Sequence, residues 1–486
     1  MWSGFGIVGV AFFVHSFFVI EFFIFVLYYI CILVYIFIGD FMNTVKLNTP
    51  CGDILGIDSG DCLEFRGIKY ATAHRWEYPE LVTSFGGLYD ATRFGKCSYQ
   101  RRGFENDEDC NPFYHKEFRK GMSFEYSEDC LFLNIYAPKD AKNAPVLFYI
   151  HGGSFTGGSS NEGHISGIEY AKRGVVFVSI NYRLNAFGFC SHPDLTDEKG
   201  RCGNFGLYDQ VAALNWVKNN ISAFGGDGNR ITVMGQSAGA MSVDILVSSP
   251  LCKGLIKGAI MMSGGAMQRE AARPLNPEKT RKFWDKITEN AGAKNIFELK
   301  STDEKTLFYA WLKACKNHKV GSMLYTLPVY DGALLTKDSF SKKSMPSMPY
   351  ILGVTQTDMV PVVLEGLTKK LAKLIIKSGS PCYIYNFNHD LPGDNSGAWH
   401  SCDLLYAFGT LKNNWRPFDK VDYDISYKMI ESFAAFVKTG SPKCNAVPYW
   451  NSSYDMPVRF CENTRAEKWD TKKLLKNTFA KNGAEF

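Results

Sequence analysis

Ile231-Thr232-Val233-Met234-Gly235-Gln236-Ser237-Ala238-Gly239-Ala240 decides how this chain is read. A β-branched apolar run enters a Gly-x-Ser-x-Gly pentapeptide, and a helix-compatible segment, 241–247, follows it. A serine hydroxyl is a poor nucleophile until it is held beside a base, and a tight strand-to-helix turn can do the holding. Gly235 and Gly239 lack Cβ atoms, so the flanking backbones can cross closely while Ser237 takes a strained conformation with Oγ projecting outward. A helix starting at Ala238 points its positive end toward an oxyanion formed there. The chain has 44 glycines, so the pentapeptide alone is as compatible with an ordinary glycine-rich turn. Its surroundings have to decide.

Outward from this stretch, apolar runs alternate with helical patterns. Val146 to Ile150, Val175 to Ile180, Ile231 to Met234 and Ala259 to Met262 read as buried strands. Gly167 to Lys172 and Leu207 to Asn219 show helical spacing, the latter placing Ala212, Ala213, Trp216 and Val217 along one face. Strand and helix in alternation imply parallel strands joined by right-handed crossovers, hence an α/β fold with a mostly parallel, doubly wound sheet flanked by helices. Active sites in such sheets lie at the carboxyl ends of strands, which is where Ser237 falls.

The strand at Val146 runs into His151-Gly152-Gly153-Ser154-Phe155-Thr156-Gly157-Gly158. Consecutive glycines after a buried strand let backbone N–H groups converge on one point, as an oxyanion hole requires. A base would follow Ser237 in chain order, with an acid between them. The histidines downstream of Ser237 are His318, His389 and His400. His318 lies in a solvated polar run and His389 at a strand end or turn. His400 sits on a loop before the apolar run Leu404 to Phe408, from which it can reach across to the turn. For the acid, Asp358 follows the strand-like Tyr350 to Val354, whereas Asp331 reads as a turn residue and Glu365 as a helix surface charge. These choices make His400 the candidate base and Asp358 its partner.

The assembled segments resemble the type-B carboxylesterase/lipase family within the α/β-hydrolase superfamily. The resemblance runs from Phe65-Arg66-Gly67-Ile68-Lys69-Tyr70-Ala71 through Ser127-Glu128-Asp129-Cys130-Leu131-Phe132-Leu133-Asn134 and the His151 loop. It continues in Asn181-Tyr182-Arg183-Leu184, Gly203-Asn204-Phe205-Gly206-Leu207-Tyr208-Asp209-Gln210, Phe224-Gly225-Gly226-Asp227 and Gly397-Ala398-Trp399-His400. It implies an α/β-hydrolase with Ser237 as nucleophile, His400 as base and Asp358 as acid. The implied oxyanion donors are the backbone N–H groups of Gly153, Ser154 and Ala238, with Gly152 shaping the turn.

Four positions depart from the family pattern. The acid is Asp358 rather than Glu, Ser154 replaces the third loop glycine, and Gln236 stands where many relatives carry Glu. Asp358 and His400 are only 42 positions apart, which implies a reduced helical lid and a more open site. The family often joins the cysteines that here would be Cys97 and Cys130, which in a cytoplasmic protein would stay reduced. The segment between them holds Phe104, Phe113, Tyr114, Phe118, Phe124 and Tyr126 but no Trp. Cholinesterase activity, which leans on a Trp there for cation–π attraction, is therefore not expected.

Bulk composition narrows the rest. The net charge is +5 with no extended Lys/Arg stripe, so nucleic acid is not an expected partner. The 14 cysteines include no CxxC pair and no zinc-ligand spacing, so neither a metal nor a cofactor is expected. Residues 42–486 read as one α/β-hydrolase carboxylesterase domain. Residues 1–41 differ: no charged residue lies between Glu21 and Asp40, and 22–38 is continuously apolar or aromatic. That length spans a hydrocarbon core of ~30 Å, and a cleavable signal peptide fits poorly without a basic n-region. Two readings stay open, a transmembrane anchor that makes the protein membrane-associated and a mis-assigned start with a cytoplasmic protein opening at Met42. The expected activity is serine hydrolysis of small-molecule carboxylic esters through an acyl-enzyme. The rival is a catalytically inactive binding or adhesion protein on the same fold.

Overall fold

The computed structural model describes residues 43–271, 273–274, 277–317, 326–341 and 344–469. The hydrophobic segment 1–41 and His318 lie outside the described residues. Among the described residues no helix is long and apolar enough to cross a membrane.

Among the described residues thirteen strands form the main sheet. In chain order they are β1 (Thr44–Thr49), β2 (Gly52–Asp58), β3 (Leu63–Lys69), β4 (Tyr89–Asp90) and β5 (Phe132–Ala137). Then come β6 (Ala144–Ile150), β7 (Val176–Ile180), β8 (Gly226–Gln236), β9 (Ile256–Met262) and β10 (Tyr350–Thr355). The last three are β11 (Cys382–Phe387), β12 (Val458–Phe460) and β13 (Arg465–Ala466). The spatial order is β1-β2-β3-β5-β7-β6-β8-β9-β10-β11-β12-β13, with β4 beside β2. From β7 to β12 every pairing is parallel. The edge strands β1, β2, β3 and β5 add on antiparallel to one another. The central strands are continuous apolar runs because helices cover both faces; all seven residues of β6 are buried.

The chain leaves β6, lays β7 on one side of it, and returns to place β8 on the other. That reversal is a topological switch point, where the crossovers on either side diverge and open a crevice at the carboxyl ends of the strands. Ile150 of β6 pairs with Gly235 of β8. The glycine loop and the serine turn therefore leave the sheet side by side, an arrangement set by register.

Helix α1 (Phe205–Asn220) is buried more fully than its one-faced pattern predicts. Only Asn215, Lys218 and Asn219 escape burial, because α1 lies between the sheet and a small antiparallel pair of strands, Ala71–Thr72 and Glu80–Leu81. Within it Asp209 is fully buried and takes three hydrogen bonds from Arg183: from its backbone N–H at 3.0 Å, Nε at 2.9 Å and Nη2 at 2.7 Å. Helix α2 (Ala238–Ser248) is buried along its whole length. Helices α3 (Pro277–Ala291) and α4 (Glu304–Asn317) pack on each other as a satellite around Trp76, Trp284 and Trp311, apart from the main core.

Between Asp358 and His400 lie one helix, α5 (Pro361–Lys377), strand β11 and a loop. Glu365 on α5 is not a surface charge: it is 3% exposed and Lys369 donates to it at 2.5 Å. It faces inward because α5 packs along β10 and β11. A short helix α6 (Asp403–Ala407) follows His400 and packs against α7 (Lys420–Thr439).

Candidate active site

Ser237 sits between β8 and α2 at φ 55°, ψ −123°, a region costing a non-glycine residue ~1–3 kcal/mol. The strain is held in place at both ends of the residue. Its N–H donates to the Met262 carbonyl at 2.8 Å, and its own carbonyl accepts from the Met241 N–H at 3.0 Å. A Cβ on Gly239 would stand 2.1 Å from the Ile150 carbonyl oxygen, and one on Gly235 would stand 2.3 Å from that of Gly239. The elbow thus closes against the end of β6, which only hydrogen at these two positions permits.

The glycine loop packs on the other side of the same turn. A Cβ on Gly152 would lie 2.6 Å from the Gln236 carbonyl oxygen, 2.8 Å from its Oε1 and 3.1 Å from the Ser237 Cβ. Gly153, Ser154 and Phe155 follow at φ 110°, 56° and 59°. The N–H groups of Thr156 and Gly157 both donate to the Gly153 carbonyl at 2.9 Å, which closes the loop. Among the described residues no acceptor takes the N–H of Gly153 or Ser154. Ala238 opens α2, so its N–H is one that a helix start leaves without an intrahelical acceptor. The Ser154 side chain is no obstacle, since the loop uses backbone.

Asp358 and His400 meet at 2.5 Å between Oδ1 and Nδ1. Asp358 is held by the Met359 N–H at 2.9 Å on Oδ1 and the Thr355 N–H at 3.3 Å on Oδ2, and the Ser263 hydroxyl faces it. Burial by itself would raise the Asp358 carboxyl and lower the His400 imidazole. Their attraction and shared hydrogen bond outweigh it, so Asp358 lies below the usual carboxylate range and His400 above that of a free imidazole. With Nδ1–H bonded to Asp358, the lone pair of Nε2 accepts from the Gln236 side-chain amide at 3.2 Å.

The remaining histidine and acids are elsewhere. His389 pairs with Asp422 at 2.9 Å, and Asp331 Oδ1 accepts the N–H groups of Ala333, Leu334 and Leu335 in a turn. Cys97 and Cys130 are both free thiols; Cys97 Sγ lies 3.0 Å from the Ser159 hydroxyl.

Three features of the site escaped the sequence reading. One is the Gln236–His400 contact. The second is Asp403, whose spacing one helical turn after His400 was an available signal. Burial, helped by the nearby Asp358 charge, pushes its carboxyl up to about 7 against the opposing effect of a 2.8 Å hydrogen bond from the Tyr385 hydroxyl. The third is Trp399, which packs edge-on against Phe113 and Tyr114 and at a tilt against Phe118, at centroid distances of 5.0, 5.8 and 5.5 Å. A Trp does join the aromatic group, from the loop before His400. Ser237, His400 and the glycine loop open on a cleft of about 340 Å³ that Tyr114, Phe118 and Met359 also line.

The Carboxylesterase family model matches residues 43–373 and 367–480. The chain belongs to the carboxylesterase family. It is similar to the para-nitrobenzyl esterase of Bacillus subtilis (strain 168), at 30% identity over 82% of this chain and 91% of that protein. It is also similar to the fumonisin B1 esterase of Sphingopyxis macrogoltabida, at 38% identity over 47% of this chain. There it spans less than half of the relative, 40% of its length. Among solved structures it superimposes on a Geobacillus stearothermophilus carboxylesterase with a TM-score of 0.72 and 27% identity, covering 89% of this chain and 99% of that one. The expected α/β-hydrolase fold is thereby borne out for a carboxylesterase-family chain.

Proposed function

We propose that the protein hydrolyses carboxylic esters through an acyl-enzyme on Ser237. His400 Nε2 takes the Ser237 hydroxyl proton as Oγ forms a bond to the ester carbonyl carbon. The carbonyl oxygen becomes an oxyanion held by the N–H groups of Gly153, Ser154 and Ala238. The carbon–alkoxy bond then breaks and His400 returns its proton to the departing alcohol. Water repeats the sequence to release the acid. Asp358 fixes the tautomer that leaves Nε2 free to accept and stabilises the imidazolium. Removing one oxyanion donor costs ~10²–10³ in kcat in comparable sites, so Gly152 matters by keeping that loop against Ser237.

The observation that carries this reading is the buried 2.5 Å contact between Asp358 and His400 beside a serine at φ 55°. A fluorophosphonate probe tests it. Covalent labelling of the folded protein that disappears in Ser237→Ala is expected. Absence of labelling in folded wild-type protein overturns the assignment.

A further inference from the structure

The N–H groups of the glycine loop are aimed by its carbonyls. In a trans peptide the N–H points away from the C=O of the same unit, so fixing one directs the other. The Gly152 carbonyl, in the peptide that carries the Gly153 N–H, accepts from His151 Nδ1–H at 2.8 Å. The Gly153 carbonyl, in the peptide that carries the Ser154 N–H, accepts from Thr156 and Gly157 at 2.9 Å. Both arrangements lean on the far end of the loop. A Cβ on Gly158, at φ 99°, would stand 2.4 Å from the Gly152 carbonyl oxygen and 2.5 Å from His151 Nδ1. One on Gly153 would stand 2.2 Å from the Gly157 carbonyl oxygen.

A side chain 58 positions earlier holds that far end. Gln100 lines the cleft and is 3% exposed. Its Oε1 accepts from the Gly158 N–H at 3.0 Å and its Nε2 donates to the Gly158 carbonyl at 3.0 Å, so one amide grips both backbone groups of a single glycine. Nε2 also donates to the Ser98 carbonyl at 3.2 Å, which commits both amide hydrogens within the protein. The Gly158 N–H shares its peptide with the Gly157 carbonyl that abuts Gly153. The segment carrying Gln100 is anchored in turn. The Leu184 N–H donates to the Ser98 hydroxyl at 3.1 Å, and Asn185 Nδ2 donates to the Tyr99 carbonyl at 2.8 Å. Glycines at 153, 157 and 158 leave the loop free to turn unless something outside it holds it.

We propose that Gln100 is a positioning residue for the oxyanion hole: by clamping Gly158 it keeps the Gly153 and Ser154 N–H groups aimed at the reacting carbonyl oxygen. The proposal rests on ester hydrolysis at Ser237. Gln100→Met keeps the length of the side chain and removes all three hydrogen bonds. Gln100→Glu still accepts from Gly158 but sets a carboxylate oxygen against two carbonyls. The substrates are p-nitrophenyl acetate and its thionoester, in which sulfur, a weak acceptor, replaces the carbonyl oxygen. In Gln100→Met, kcat and kcat/KM for the oxygen ester are expected to fall together by about ten- to hundredfold, with KM little changed. The thionoester gains less from the loop, so the oxygen-to-sulfur ratio of kcat/KM is expected to narrow at least about fivefold. General damage to the site would lower both substrates alike and leave the ratio in place. The acid limb of the pH profile is expected to stay where it is, since Gln100 touches neither His400 nor Asp358. A folded variant with wild-type kcat/KM, or with an unchanged ratio, overturns the proposal. Urea denaturation establishes folding, and where Gln100→Met does not fold, Gln100→Glu decides by the same two readings. Fluorophosphonate labelling and turnover by the wild-type protein report on Ser237 separately. An inert wild type removes the hydrolase reading and this one with it, whereas an active wild type with insensitive Gln100 variants removes this one alone.

Discussion

The side-chain amide of Gln236 donates to Nε2 of His400 at 3.2 Å, so the residue before the nucleophile occupies the lone pair of the proposed base. An amide donor there stabilises the neutral imidazole. A carboxylate would instead accept from Nε2–H and favour the imidazolium. Gln236→Glu is therefore expected to move the acid limb of the kcat/KM profile to higher pH by about one unit. The check is p-nitrophenyl acetate hydrolysis between pH 5 and 9; a limb that stays put or moves down contradicts this account.

The wild-type profile has its own sign. His400 must be neutral to accept a proton, and Asp358 holds it above the ordinary imidazole value. Activity should thus rise through a pH above ~6.5. In Asp358→Asn the charge holding up the imidazole is gone and the wrong tautomer is favoured. A fall in kcat of ~10³–10⁴ is expected, with the residual acid limb displaced to lower pH. Single-turnover acylation rates would separate this from a folding defect.

Gly239→Ala tests the elbow itself. Its new Cβ would meet the Ile150 carbonyl oxygen at 2.1 Å, a backbone atom at the end of a central strand that cannot step aside. Destabilisation of at least about 1–3 kcal/mol is expected from overpacking alone, together with loss of fluorophosphonate labelling. Urea denaturation and labelling on the same sample give both readings. Retention of both would mean that α2 approaches β6 less closely than described.

Arg183→Met leaves the fully buried Asp209 without its counter-ion. Breaking one side of a buried pair costs about 3–5 kcal/mol, whereas replacing both partners with apolar residues can be close to neutral. The double variant Arg183→Met/Asp209→Leu should accordingly be more stable than the single one, by chemical denaturation. The reverse order would show that Asp209 stabilises the fold chiefly through the backbone N–H of residue 183, which donates to it at 3.0 Å and survives in the single variant.

The elbow and the oxyanion turn were legible in the chain because each is a local pattern: an apolar run, then glycines where side chains cannot fit. Asp358 and His400 could be placed in order by their neighbours, a strand before one and a helix after the other. Burial was harder to read. The periodicity of α1 marks one apolar face, yet its polar residues Asp209 and Gln210 are fully buried as well, because their partners come from other segments. Glu365 misled for the same reason: a charge reads as surface until the sheet it packs against is known.

What the chain determined by itself is the succession of strand, turn and helix around Ser237, since hydrophobic period and missing Cβ atoms act between near neighbours. Only the tertiary structure decided that Gln236 would touch His400, 164 positions away, and that Arg102 would meet Glu162 in a buried ion pair at 2.7 Å. These contacts depend on strand order and register at the β6–β8 switch point. Their geometry is set by packing across distant segments, and no local pattern encodes it.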